Sequence, residues 1–265
     1  MKKRFLICSV LSVSFFGMKA QEKISAEVNI KTEPTEKINF NETNIGFSFH
    51  KKINTNTTIT NTLIYSNMKV NYELGSFKVF ENLDQLNQIQ NKFNFSYTVS
   101  DKTKLKFSVT PTASFQQNLN TSDFTILGSF EFSRQLGPKT TMNIGAAKTN
   151  AFGYPKLTPV LSLGYKLNEQ SNIVIGFPDS EILYSNNVRN KFIVTNSFNA
   201  SKVIVSQMTS AFEYERNMDK NWFINFKAGY DFNKKYILTD DNNHKVYDFN
   251  ISDGYILGIG IKYKQ

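Results

Sequence analysis

A two-residue alternation recurs along this chain and limits what it can fold into. Between Trp222 and Phe232 the even positions Trp222, Ile224, Phe226, Ala228, Tyr230 and Phe232 are apolar. The odd positions mostly carry Asn225, Lys227, Gly229 and Asp231. The last segment repeats the pattern, with Tyr255, Leu257, Ile259, Ile261 and Tyr263 on one side. Successive side chains of a strand point to opposite faces, so each segment is a strand with one apolar and one polar face.

The first 20 residues read differently. Met1-Lys2-Lys3-Arg4 is basic, Phe5 to Phe16 is an apolar run, and Ala20 offers a small residue at a cleavage point. This is a signal-peptide pattern, and the run is shorter than the ~20 residues of a spanning helix. Residues 1–20 are therefore expected to be a leader and residues 21–265 a single domain. Cys8, the single cysteine, sits inside the leader, so no disulfide or thiol metal site is expected in the remainder. The net charge of +9 includes four cations from Lys2, Lys3, Arg4 and Lys19. The remaining lysines are scattered, which argues against nucleic acid as a partner.

The alternation predicts strands at 24–31, 43–49, 57–72, 92–99, 104–114, 123–133 and 140–148. It continues with 158–167, 172–177, 180–186, 191–199, 203–215, 222–232 and 254–264. Turns such as Ser100–Thr103 and Asn168–Ser171 are tight, while the connections between them are long. Short turns on one side and long loops on the other suit a transmembrane up-and-down β-barrel, with the short turns facing the periplasm. Counting gives 14 strands, or 12 if the short pair around Pro178 merges. In one loop, Phe80, Leu83, Leu86, Ile89 and Phe93 recur every three or four residues, which predicts a short amphipathic helix.

A soluble sandwich alternates as well, so the direction of the apolar face needs its own argument. The apolar sets carry no charge: Phe95 and Tyr97, Phe107 and Val109, Ile126 and Phe130, Leu161 and Leu163. A Lys or Arg at the bilayer midplane would cost about 2–4 kcal/mol. Aromatics gather at strand ends, with Phe49, Phe132, Tyr165, Tyr214, Trp222 and Tyr263 on the short-turn side. Phe93, Phe124, Tyr230, Phe232 and Tyr255 do so on the loop side. Two such girdles suit two membrane interfaces. The opposite face holds Lys104, Lys106, Glu131, Lys166, Glu213, Glu215, Lys227, Asp231 and Lys262, all expected to point into a lumen. No open edge can face lipid, so the first and last strands are expected to pair.

Two stretches carry resemblances. Gly258, Ile261 and Tyr263 resemble the C-terminal assembly signal of bacterial outer-membrane barrels, although Lys264 and Gln265 follow the aromatic. That resemblance implies insertion by the barrel-assembly machinery. Gly176-Phe177-Pro178-Asp179-Ser180-Glu181-Ile182-Leu183-Tyr184 resembles a segment shared by a family of outer-membrane β-barrel proteins of unknown function from Gram-negative bacteria. Pro178 lacks an N–H and marks a bulge or sharp bend there.

Little in the chain suggests catalysis. His50 ends a strand beside Lys51-Lys52 without a neighbouring carboxylate. His244 lies in a long loop just after Asp240 and Asp241, which leaves an outer-membrane hydrolase as the alternative. A secreted β-sandwich binding module is the third reading. The leading expectation is an outer-membrane, porin-like barrel without enzymatic activity, cofactor or metal. It would act in envelope integrity or passive passage of small polar solutes, with membrane lipids as partners.

Overall fold

The computed structural model describes residues 22–35, 38–72, 85–149, 155–199, 204–239, 245–250 and 253–265. The strands are β1 (Glu22–Glu33), β2 (Ile38–Lys52), β3 (Thr57–Tyr72), β4 (Gln85–Ser100) and β5 (Thr103–Phe115). They continue with β6 (Phe124–Gln135), β7 (Thr140–Thr149), β8 (Lys156–Lys166), β9 (Ser171–Phe177) and β10 (Asp179–Ser185). The remainder are β11 (Asn190–Asn199), β12 (Ile204–Asp219), β13 (Trp222–Thr239), β14 (Lys245–Asn250) and β15 (Gly254–Lys264). From β1 to β14 each pairs antiparallel with its sequence neighbour, β15 pairs with β13, and β1 pairs with β15 to close the wall.

The last two strands are halves of one stave. Asn250 opposes Lys235 and Gly254 opposes Asp231 on β13, which is one continuous register interrupted at 251–253. The result is a closed 14-strand antiparallel up-and-down barrel. The expected strands 1 to 13 all appear, and the last is longer than the alternation indicated. The leader expected over 1–20 lies outside the described residues.

The tight turns share a device. Asn54 Oδ1 accepts from the N–H groups of Asn56 and Thr57, at 2.9 and 2.7 Å. Asn187 Oδ1 does the same for Arg189 and Asn190, and Asn168 Oδ1 for Gln170. Each side chain takes the place of a backbone acceptor and fixes the reversal locally. At the opposite end, the Pro178 bend is the tip of the β9–β10 hairpin, following a cis Phe177–Pro178 bond. These two strands have seven residues each, below the roughly nine to eleven of a tilted spanning strand, so the wall is lowest there.

Two prolines sit where the ladder can spare a donor. Lys166 sends its N–H to β7 and Leu167 to the β9 side, so odd residues of β8 face β9. Pairing between β8 and β9 stops at Leu161–Phe177, and Pro159 lies beyond it. Pro111 is costlier. Pairing between β4 and β5 lapses at Asn91 and Lys92, opposite Pro111 and Thr110. Next to that gap, the Asn61 side chain donates to Asn91 Oδ1 at 2.6 Å, and both residues are buried. Burial of an amide is tolerable when its hydrogen bonds are made.

The faces divide as expected. Phe95, Phe107, Ile126, Phe130, Leu161, Ile175, Phe212 and Leu257 are exposed on the outside of the barrel. Two expectations fail. Leu86, Ile89 and Phe93 belong to β4 and not to a helix; Phe80 and Leu83 lie outside the described residues. The three-and-four spacing arises because Leu86 faces inward while Ile89 and Phe93 face outward, with outward asparagines Asn87 and Asn91 masking the alternation. Phe93 consequently lies mid-strand and not in a loop-side girdle. Elsewhere aromatics pair at two levels of the wall: Trp222 packs edge-on to Tyr263 at the short-turn end of β13, and Tyr230 to Tyr255 midway along it, both at 5.2 Å.

Candidate functional site in the barrel lumen

The inward residues of β12, β13, β15, β1 and β2 build a cavity of about 380 Å³ inside the barrel. Its back wall is one row of directly opposed residues. Glu42 faces Lys31, Lys31 faces Gly258, Gly258 faces Lys227 and Lys227 faces Glu213. Both lysines and both glutamates line the cavity. The row is symmetric in charge about a residue that has no side chain.

One step toward the short turns, the space closes. Asn225 Nδ2 donates to Asn29 Oδ1 at 3.2 Å, passing over Gly260 on the strand between them. A Cβ at Gly260 would collide with Asn29 and stand 2.6 Å from Asn225 Oδ1. Gly260 is therefore required for this contact. Beyond it Lys262 pairs with Glu27 at 2.9 Å, and Lys264 with Glu215 at 2.9 Å. Lys264 also lies 4.2 Å above the Phe223 ring.

On the loop side the wall carries an ionic cluster whose Glu33, Asp231 and Lys234 are buried, with Lys31 and Glu42 at its cavity edge. Lys31 bonds both Glu33 and Glu42 at 2.7 Å. Lys234 pairs with Glu33 and approaches Asp231 at 3.5 Å. Thr209 donates to Asp231 Oδ1 at 2.6 Å. Lys234 also stands 4.5 Å over the Phe40 ring, and Phe40 and Ile256 are buried beside the cluster. Charges removed from water persist only when paired and hydrogen-bonded, and here each has a partner of opposite sign.

The alternation alone would turn Lys234 outward. A bulge corrects it: the β12–β13 register shifts between Met208–Phe232 and Ser206–Lys235. Asn233 takes a left-handed conformation at φ 52°, with its N–H donating to Asp253 Oδ1 at 2.9 Å. Lys234 was not among the lumen residues expected from the sequence. The Asn after an unbroken alternation was the available signal, because Asn tolerates that conformation.

The remaining expected lumen charges sit on inward positions. Lys106 approaches Glu131 at 3.7 Å, and Lys166 pairs with Glu169 in the adjoining tight turn at 2.8 Å. Between them the wall is lined by small polar groups, such as Ser108 bonded to Ser129 and Asn143 to Ser162, both at 2.8 Å. His50 is exposed at the short-turn end and shares a 2.9 Å hydrogen bond with the Thr60 hydroxyl. It faces no carboxylate among the described residues. His244, Asp240 and Asp241 lie outside the described residues.

A sequence-family model described as "Domain of unknown function (DUF6268)" matches residues 11–264. No curated protein matches the sequence significantly. Among solved structures, the chain is similar to an outer-membrane channel from Pseudomonas putida F1, at 9% identity and a TM-score of 0.50. That match covers 96% of this chain and 98% of the other. It is also similar to the TodX monoaromatic hydrocarbon channel, at 10% identity and a TM-score of 0.57, covering 93% and 90%. At these identities the likeness establishes the outer-membrane-barrel fold alone.

Proposed function

The chain belongs to the DUF6268 family of unknown function, and on that premise we propose that it is an outer-membrane conduit for the passive passage of small polar solutes. The observation that carries the reading is the polar lumen cavity: charged and amide side chains surround a space large enough for a small solute. The fold that the chain shares with outer-membrane channels is in keeping with it. The protein acts without enzymatic chemistry, its apolar face meets membrane lipid, and the barrel-assembly machinery inserts it. The leader directs export and is cleaved after Ala20, which mass measurement of the mature protein tests.

A second reading is a closed barrel that stiffens the envelope. The solvent-excluded cluster of Glu33, Asp231, Lys234, Phe40 and Ile256 favours it, because it seals the loop side of the cavity along that wall. Conductance of the refolded protein in planar bilayers separates the two. Discrete single-channel steps support the conduit. Silent bilayers, with the barrel confirmed as inserted, support the closed barrel.

A further inference from the structure

The charges around the lumen cavity do not all cancel one another. Lys31 is held by Glu33 and Glu42, and Lys262 by Glu27. Lys227 and Glu213 face each other on β13 and β12, yet no ion pair joins them, and Lys227 has no ion-pair partner among the described residues. Opposite charges directly across an antiparallel pair ordinarily close on one another. Here the Lys227 ammonium and the Glu213 carboxylate stand side by side in a cavity without closing on one another, although Glu213 also feels the charge of Lys262 across it.

Gly258 makes the space in front of them. Adjacent strands lie about 4.8 Å apart, so the backbones carrying Lys31 and Lys227 are roughly 10 Å apart with nothing projecting between. A Cβ at Gly258 would meet the Ile30 carbonyl at 3.3 Å and Lys227 Cβ at 3.5 Å. The backbone would thus accept a side chain there, at the expense of the cavity. Asn29, Asn44 and Asn225 supply amides around the same space.

The chemistry of this set selects among small solutes. A simple anion would meet Lys227 but bring negative charge beside Glu213. A simple cation would do the reverse with Lys227. We propose that the cavity binds a small zwitterion, with its carboxylate on Lys227 Nζ and its ammonium on the Glu213 carboxylate. Such a solute satisfies both groups and leaves the row neutral. Orienting a ligand by a few placed polar groups in a concave site is the usual basis of small-molecule selectivity. The proposal deepens the conduit reading and rests on it for its physiological meaning.

Binding is measurable without passage. Saturation-transfer NMR on the full refolded barrel in micelles, with alanine, acetate and ethylamine as probes, reads the three charge types. Saturable alanine binding is expected, with acetate and ethylamine at least about tenfold weaker. Lys227→Met and Glu213→Gln are each expected to weaken alanine binding about tenfold. Lys227→Arg and Glu213→Asp keep the charges and are expected to stay within a few-fold, which separates lost charge from lost fold. Absence of saturable alanine binding, equal binding of all three probes, or unchanged binding in the neutral variants overturns the proposal. A barrel that conducts without binding alanine refutes this inference alone, whereas one that binds alanine in silent bilayers refutes the conduit alone.

Discussion

Two glycines two residues apart on β15, Gly258 and Gly260, illustrate how much single atoms decide inside this barrel. Gly260 lies under the Asn29–Asn225 hydrogen bond, and a methyl there displaces it. Gly258 faces open space that a methyl can enter with small adjustment. Gly260→Ala is therefore expected to lower the heat-modification midpoint of the barrel on detergent gels, and Gly258→Ala to leave it nearly unchanged. Equal midpoints for the two variants would contradict this assignment. Lys234 gives a larger effect. Lys234→Met leaves Glu33 and Asp231 facing a buried space without that cation, and breaking a buried pair typically costs about 3–5 kcal/mol. A urea midpoint in lipid vesicles equal to that of the unaltered protein would show that the cluster is not structural.

At the scale of elements, β4 and β5 show what a broken ladder requires. The pairing gap opposite Pro111 lies beside the Asn61–Asn91 bond on the outer side of the wall. Asn61→Leu leaves Asn91 Oδ1 buried without that donor, at a cost of about 1–3 kcal/mol. The double variant Asn61→Leu/Asn91→Leu is expected to recover most of the loss, and a double-mutant cycle in urea measures the coupling. Purely additive losses would show that the two amides do not act together. The same asparagines explain where sequence reading stopped. Strands such as β13 and β15 were legible because one face is apolar without interruption and the register follows from it. In β4, outward Asn87 and Asn91 and inward Leu86 invert the pattern, and a helical spacing emerged by coincidence. The inward charges Glu213, Lys227, Asp231 and Lys262 were legible from parity. Lys234 was not, because a bulge at Asn233 reverses parity, and no periodicity records a bulge. Nor was the opposition of Lys31 to Gly258 and Lys227, which depends on closing residues far apart in sequence into one row.

For the whole molecule, closure places the first strand against the last, and with it brings together the residues of the cavity. Glu27, Asn29 and Glu33 on β1 find Lys262, Asn225 and Lys234 on β15 and β13 only when the barrel shuts. The wall, the cavity and the buried cluster thus depend on a single orientation: rings toward hydrocarbon, charges toward the lumen. On β6, Phe130 faces outward and Leu127 inward near the middle of the strand. The most direct test uses the protein with its single tryptophan removed, Trp222→Phe, and a new one introduced as either Phe130→Trp or Leu127→Trp. In vesicles of lipids brominated along the acyl chain, the tryptophan at 130 is expected to be strongly quenched and that at 127 to keep most of its fluorescence. Equal quenching at both positions, or stronger quenching at 127, would contradict the orientation on which the cavity and its proposed ligand depend.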